Sequence, residues 1–104
     1  MGLTHSQKSG LSKILNSELF KSIYPMIDSF ELVLLEKINM LIIQIILNDE
    51  TIDHDNMYQK GLDPHYLTDI HLSKVLPYLG IPRNLGIGYV IKTPNGEVID
   101  SFLP

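Results

Sequence analysis

The chain has no cysteine, no tryptophan and no alanine, and its only arginine is Arg83. Without cysteine there is no disulfide framework, no thiolate nucleophile and no thiolate metal site. Without alanine the interior has to be filled by branched aliphatics, which favours sheet over tightly packed helix bundles. Cations are also sparse. The basic residues stand singly, and even Lys8, Lys13 and Lys21 are surrounded by acids and neutral residues. Binding to a nucleic-acid backbone needs clustered Lys and Arg. With a net charge of −4, autonomous nucleic-acid binding is not expected.

Long apolar runs are missing too. The strongest, Met40 to Leu47, covers eight residues, well short of the roughly 20 that a membrane-spanning helix needs. Met1 to Gly10 is polar and lacks the apolar stretch of a secretory signal. The expectation is a cytoplasmic or otherwise reducing location, not secretion. Membrane attachment would need myristoylation at Gly2, for which Met1-Gly2-Leu3-Thr4-His5-Ser6 fits the short pattern.

Ile and Leu dominate what is present. A hydrophobic fraction of 44% beside 19% charged residues is the balance of a folded globular protein. A length of 104 residues has room for one hydrophobic core. Residues 1–104 therefore read as a single small domain, with 1–10 as a flexible N-terminal arm. The bias towards Ile, Lys and Asn and away from Ala and Arg fits an AT-rich genome.

Leu11, Ile14, Leu15, Leu19 and Ile23 recur at helical spacing, which predicts an amphipathic helix over 11–23 ended by Pro25. Ser29 to Glu36 predicts a strand with Phe30, Leu32 and Leu34 on one face. Met40 to Leu47 predicts a central strand buried on both faces, paired with the first as a hairpin. Asn48 to Leu62 is a polar, acidic connection closed by Gly61. Asp63 and Pro64 then open a second helix that Gly80 ends, with Leu72, Val75, Leu76 and Leu79 as its buried stripe and Pro77 in a distorted last turn. Gly86 to Thr93 and Glu97 to Phe102 predict a second hairpin around Pro94-Asn95-Gly96, where Asn-Gly would supply positive φ angles. The fold class is α+β. Its order is α-β-β-α-β-β, giving a mostly antiparallel four-stranded sheet with two helices packed on one face.

Chemistry-bearing patterns are weak. Acids and histidines crowd residues 49–71, and His54, His65, Asp69 and His71 are the candidate metal ligands there, with His65 and Asp69 one helical turn apart. The spacing matches no calcium loop and no HExxH pattern, and the simpler expectation is a solvated acidic loop leading into a helix. Gly86-Ile87-Gly88 precedes a strand rather than a helix, so it is no dinucleotide fingerprint. A bulge or close packing of a helix on the sheet is expected there instead. Neither a nucleophile elbow nor a general acid or base can be nominated, so no catalytic residue and no cofactor is implied.

With helices on one face, the other face of the sheet is a candidate interaction surface. Val33, Leu35, Tyr89, Ile91 and Phe102 are its candidate residues, subject to strand register; the equal alternative is that a long loop or the C-terminal Ser101-Phe102-Leu103-Pro104 covers that face. The leading expectation is thus a non-enzymatic interaction protein with a protein partner or as a homo-oligomer: a small subunit of a larger complex or a sheet-mediated homodimer. Two alternatives stand beside it. One is a phage or mobile-element protein that binds and inhibits a host enzyme. The other is a metal-dependent enzyme or ligand-binding domain using the 49–71 segment.

Overall fold

The computed structural model describes residues 3–82 and 84–104. Helix α1 spans His5–Leu15 and α2 spans Glu18–Ile23. Strands β1 (Ile27–Leu35) and β2 (Met40–Leu47) form a hairpin around a 3-10 turn at Glu36–Ile38. Helix α3 runs through three consecutive pieces, Pro64–Tyr66, a π-helical stretch at Leu67–Leu72 and Ser73–Tyr78. Strands β3 (Gly86–Lys92) and β4 (Val98–Phe102) close the chain.

The fold is α+β, and its four strands lie in the order β1-β2-β3-β4. β1 and β2 pair antiparallel, as do β3 and β4, while β2 and β3 run parallel. The parallel pair has a physical cause. Parallel neighbours need a crossover of a dozen residues or more, and residues 48–85 with α3 supply it. β2 is central, with Leu41, Ile43 and Ile45 fully buried. Cross-strand registers stack Leu34, Leu41 and Ile87 in one row, then Leu32, Ile43 and Tyr89, then Phe30, Ile45 and Ile91. These rows meet Leu11, Leu15, Phe20, Leu67 and Leu72 from the helices in one core.

The N-terminus departs from the flexible arm expected over 1–10. Helix α1 begins at His5, because Thr4 caps it: the Thr4 hydroxyl oxygen accepts from the Gln7 N–H while the Gln7 side chain accepts from the Thr4 N–H. Leu3, just before the cap, is buried in the core. Gln7 also donates to the Leu79 and Gly80 carbonyls, tying α1 to the end of α3. Gly2, the acceptor of the myristoylation pattern, lies outside the described residues.

The single helix expected over 11–23 is two. The break falls at Asn16, whose side-chain amide pairs with both backbone groups of Phe30. The Phe30 N–H donates to Asn16 Oδ1 at 2.9 Å, and Asn16 Nδ2 donates to the Phe30 carbonyl at 3.2 Å. That amide occupies part of the outer edge of β1, which an unprotected sheet would leave open to pairing. Restarting the helix at Glu18 also rotates the buried face. Phe20 enters the core, and Leu19 and Ile23 are left exposed.

Helix α3 begins and ends where its sequence signals stand. Asp63 accepts from the N–H groups of His65 and Tyr66, and Pro64 occupies the first turn. At the other end Ile81 N–H bonds the Leu76 carbonyl and Gly80 N–H bonds that of Pro77, with Gly80 at φ 71, the paired bonds of a Schellman cap. In the second hairpin only Gly96 takes a positive φ, at 87, and Asn95 does not. The turn therefore differs from the two-residue Asn-Gly form and instead closes with Gly96 N–H bonded to the Thr93 carbonyl and Thr93 N–H to that of Glu97.

Candidate functional site

Two surfaces stand out: the sheet face turned away from the helices, and a cleft where α3 meets the β3–β4 hairpin. The first follows from register alone. Because side chains alternate along a strand, Val33 pairs with Ile42 and Leu35 with Met40 on the face opposite the core rows. Ile42 is buried yet stands outside the core cluster. Beside it lies Gly88, and the C-terminal tail seats against this pair. A Cβ placed on Gly88 would come within 3.2 Å of Leu103 Cδ2, and one on Gly86 within 3.5 Å of Pro104 Cγ. The two glycines thus make room for the tail and for Ile42, not for a helix as the sequence suggests. Val33, Leu35 and Leu103 remain 37%, 40% and 64% exposed. At the same end of the sheet Leu34, Leu35 and Ile38 border a shallow hollow.

Of the five expected interaction residues, only Val33 and Leu35 share this open face. Tyr89 and Ile91 are buried on the covered face beneath the helices, so they are core residues and not surface. Phe102 pairs with Tyr89 and so projects from the helix side, half-exposed at the edge. Register decided this, since shifting a residue by one place exchanges the faces.

The second surface is a cleft of about 580 Å3, within the range of small-molecule sites. One wall is α3, which presents His65, Thr68, Asp69 and Ser73; Leu85, Ile87 and Phe102 supply an apolar side. His65 packs edge-on against the rings of both Tyr89 and Phe102, at centroid distances of 5.8 Å. The π-helical stretch shapes this wall. Leu67 and Leu72 are both fully buried but five residues apart, which at ~100° per residue of α-helix would point them about 140° from each other. A turn built on i→i+5 bonds brings them to one side.

The candidate ligand residues of segment 49–71 disperse. His65 and Asp69 face the cleft, whereas His54 Nδ1 lies 3.6 Å from Asp100 Oδ1 at the β4 edge. His71 packs among the rings of Phe20, Tyr24 and Tyr66, at 5.7, 5.7 and 5.3 Å. Among the described residues no three His, Asp or Glu side chains converge on a point where a metal could sit. Several of the loop's acids serve the backbone instead. Asp49 Oδ1 accepts from the N–H and hydroxyl of Thr51, which hold its carboxyl below the usual range, and Asp53 Oδ1 accepts from the N–H groups of Asp55 and Asn56. Buried Ile52, Met57 and Leu62 anchor the connection to the core.

One part-buried polar link joins core to edge. The Tyr89 hydroxyl donates to Asp100 Oδ2 at 3.2 Å. Burial, with the neighbouring Asp100 carboxylate, pushes the Tyr89 phenol well above its ordinary pKa. The sequence carries no signal that singles out Thr68, Ser73 or Ile42, whereas the C-terminal tail with Leu103 lies on the sheet face it is expected to cover. The five-residue spacing of Leu67 and Leu72 is the one signal in the sequence that points to the altered helix wall. No helix among the described residues is long and apolar enough to cross a membrane. No protein-family model, no curated protein and no solved structure matches this chain.

Proposed function

We propose that the chain is a non-enzymatic protein-interaction module that pairs with a second copy of itself through its open sheet face. One observation carries this reading: Val33, Leu35, Met40, Ile42 and Leu103 line up on the face that no helix covers. Contiguous apolar surface of this kind marks interaction sites on folded monomers. A second copy suits the face electrically. Its strands present one acid, Glu31, and one base, Lys92, the latter bonded to Gln44. The face is therefore neutral although the chain carries −4, and like faces do not repel. Two such sheets can pack about 10 Å apart with interleaved side chains. The opposite mode, edge-to-edge pairing at β1, is obstructed by Asn16.

Size-exclusion chromatography with light scattering from about 1 μM to 1 mM tests the proposal. The expected result is a concentration-dependent mass approaching twice 11.8 kDa. The double variant Val33→Glu/Leu35→Glu should weaken association at least about ten-fold, as expected when central apolar anchors are lost, with circular dichroism unchanged because both side chains already face outward. A monomer at every concentration overturns the reading. A dimer that survives the double substitution overturns the assignment of the face.

A further inference from the structure

The cleft between α3 and the β3–β4 hairpin presents an unusual chemistry on its helix wall. The Thr68 hydroxyl donates backwards to the Pro64 carbonyl at 3.0 Å and shares its hydrogen with that of His65 at 3.2 Å. The Ser73 hydroxyl donates to the Ile70 carbonyl at 3.0 Å. With both hydroxyl hydrogens bonded to the backbone, each oxygen offers a ligand in the cleft only acceptor lone pairs. Asp69 stands between them on the same wall and, ionised, can only accept. Among the described residues no lysine or arginine lines the cleft. Three of the four polar side chains on the wall are therefore acceptors, and one of them carries a negative charge.

The remaining surface is apolar and partly flat. Leu76, Pro77, Leu85 and Ile87 line it, and Phe102, 43% exposed, offers a ring beside His65. A ligand satisfying both parts needs hydrogens and positive charge at one end and a flat apolar body at the other. We infer that this cleft binds a small organic cation, an ammonium or amidinium group carried on an aromatic ring, with the charged end at Asp69, Thr68 and Ser73 and the ring against Phe102. This site is separate from the open sheet face, and neither reading depends on the other.

Three probes of one shape separate the components: benzylammonium, benzyl alcohol and benzoate, each titrated into the intact protein and followed by two-dimensional amide NMR. Benzylammonium is expected to bind, shifting the amides of Thr68, Asp69, Ser73 and Phe102, with benzyl alcohol weaker and benzoate weakest. Asp69→Asn should weaken benzylammonium about five-fold, the scale of one exposed charge pair, and leave benzyl alcohol unchanged. Phe102→Ala should weaken both. Since Asp69 is exposed, its variant keeps the fold. Benzoate binding as well as benzylammonium, no binding of any probe up to 10 mM by order of magnitude for fragments of this size, or an Asp69→Asn variant that binds benzylammonium undiminished would each overturn the inference.

Discussion

Replacing Asn16 by alanine tests the account of how the helical layer is fastened to the sheet. Four hydrogen bonds disappear: Phe30 N–H to Oδ1, and Nδ2 to the carbonyls of Phe30 and Ser12 and, longer at 3.4 Å, to the Ser12 hydroxyl oxygen. Each is worth roughly 0.5–1.5 kcal/mol net. β1 is an edge strand, so water can reach part of what is uncovered, and the sum should fall near 2 kcal/mol rather than at the upper limit. Alanine's better helix propensity brings no compensation, because position 16 ends α1 with φ −94 and ψ 15 and is not a helical residue. For a chain of this size about 2 kcal/mol lowers the melting temperature by roughly 10 °C. Urea unfolding should show the midpoint falling with an unchanged slope, since the surface exposed on unfolding is the same. Asn16→Asp sharpens the test. The carboxylate still accepts from Phe30 N–H but faces two carbonyls with no hydrogen to give, so at neutral pH it should cost at least as much as alanine. A loss under about 0.5 kcal/mol for Asn16→Ala, within the range of an ordinary surface substitution, would refute the fastening role.

Two further outcomes follow from the same structure. A Cβ on Gly88 would stand 2.7 Å from the Phe102 carbonyl oxygen, a backbone atom, and 3.0 Å from Ile42 Cδ1, so Gly88→Ala should displace β4 and its tail and cost about 1–3 kcal/mol. Gly96→Ala meets nothing within 4 Å and pays only for its positive φ, about 1 kcal/mol; urea midpoints in the reverse order would contradict the seating of the tail. Tyr89 should stay protonated as pH rises past its ordinary value of 10, as should Tyr24, whose phenol burial also raises, so part of the tyrosinate absorbance of the five tyrosines is missing there, and Tyr89→Phe should shrink that missing part. Because the folded pKa is the higher one, this stabilisation is complete below the unfolded value and is lost as pH climbs through the folded one. A native protein whose tyrosines all ionise together near pH 10 would contradict the buried Tyr89–Asp100 pair.

Much of the element order was legible from local chemistry. Pro25 stops a helix, Asp63-Pro64 starts one and Gly80 ends it, because backbone caps and forbidden dihedrals act within a few residues. The aliphatic run 40–47, interrupted only by Gln44, marks a central strand, although helices cover one of its faces and Met40, Gln44 and Ile46 on the other are only half-buried. Asn16 was not legible, since its partner is a backbone fourteen residues away, and the capping box at Thr4 is masked by the polar half-helix His5–Gly10 that separates it from the apolar stripe at Leu11 and Leu15.

The sequence by itself determined the strands, the end of α2, both limits of α3 and the alternating apolar positions within each strand, since each rests on periodicity or on steric rules acting over one turn. Tertiary structure alone decided which surface those rows leave exposed. Tyr89 and Ile91 alternate along β3 in a manner that fits either face, and only pairing with Ile43 and Ile45 beneath the helices turns them inward. His65 and Asp69 lie one turn apart in any helix, but it is the packing of α3 against β3 and β4 that gives them Phe102 and Ile87 as neighbours. Both candidate surfaces belong to pairings between distant segments, which no local pattern in the chain encodes.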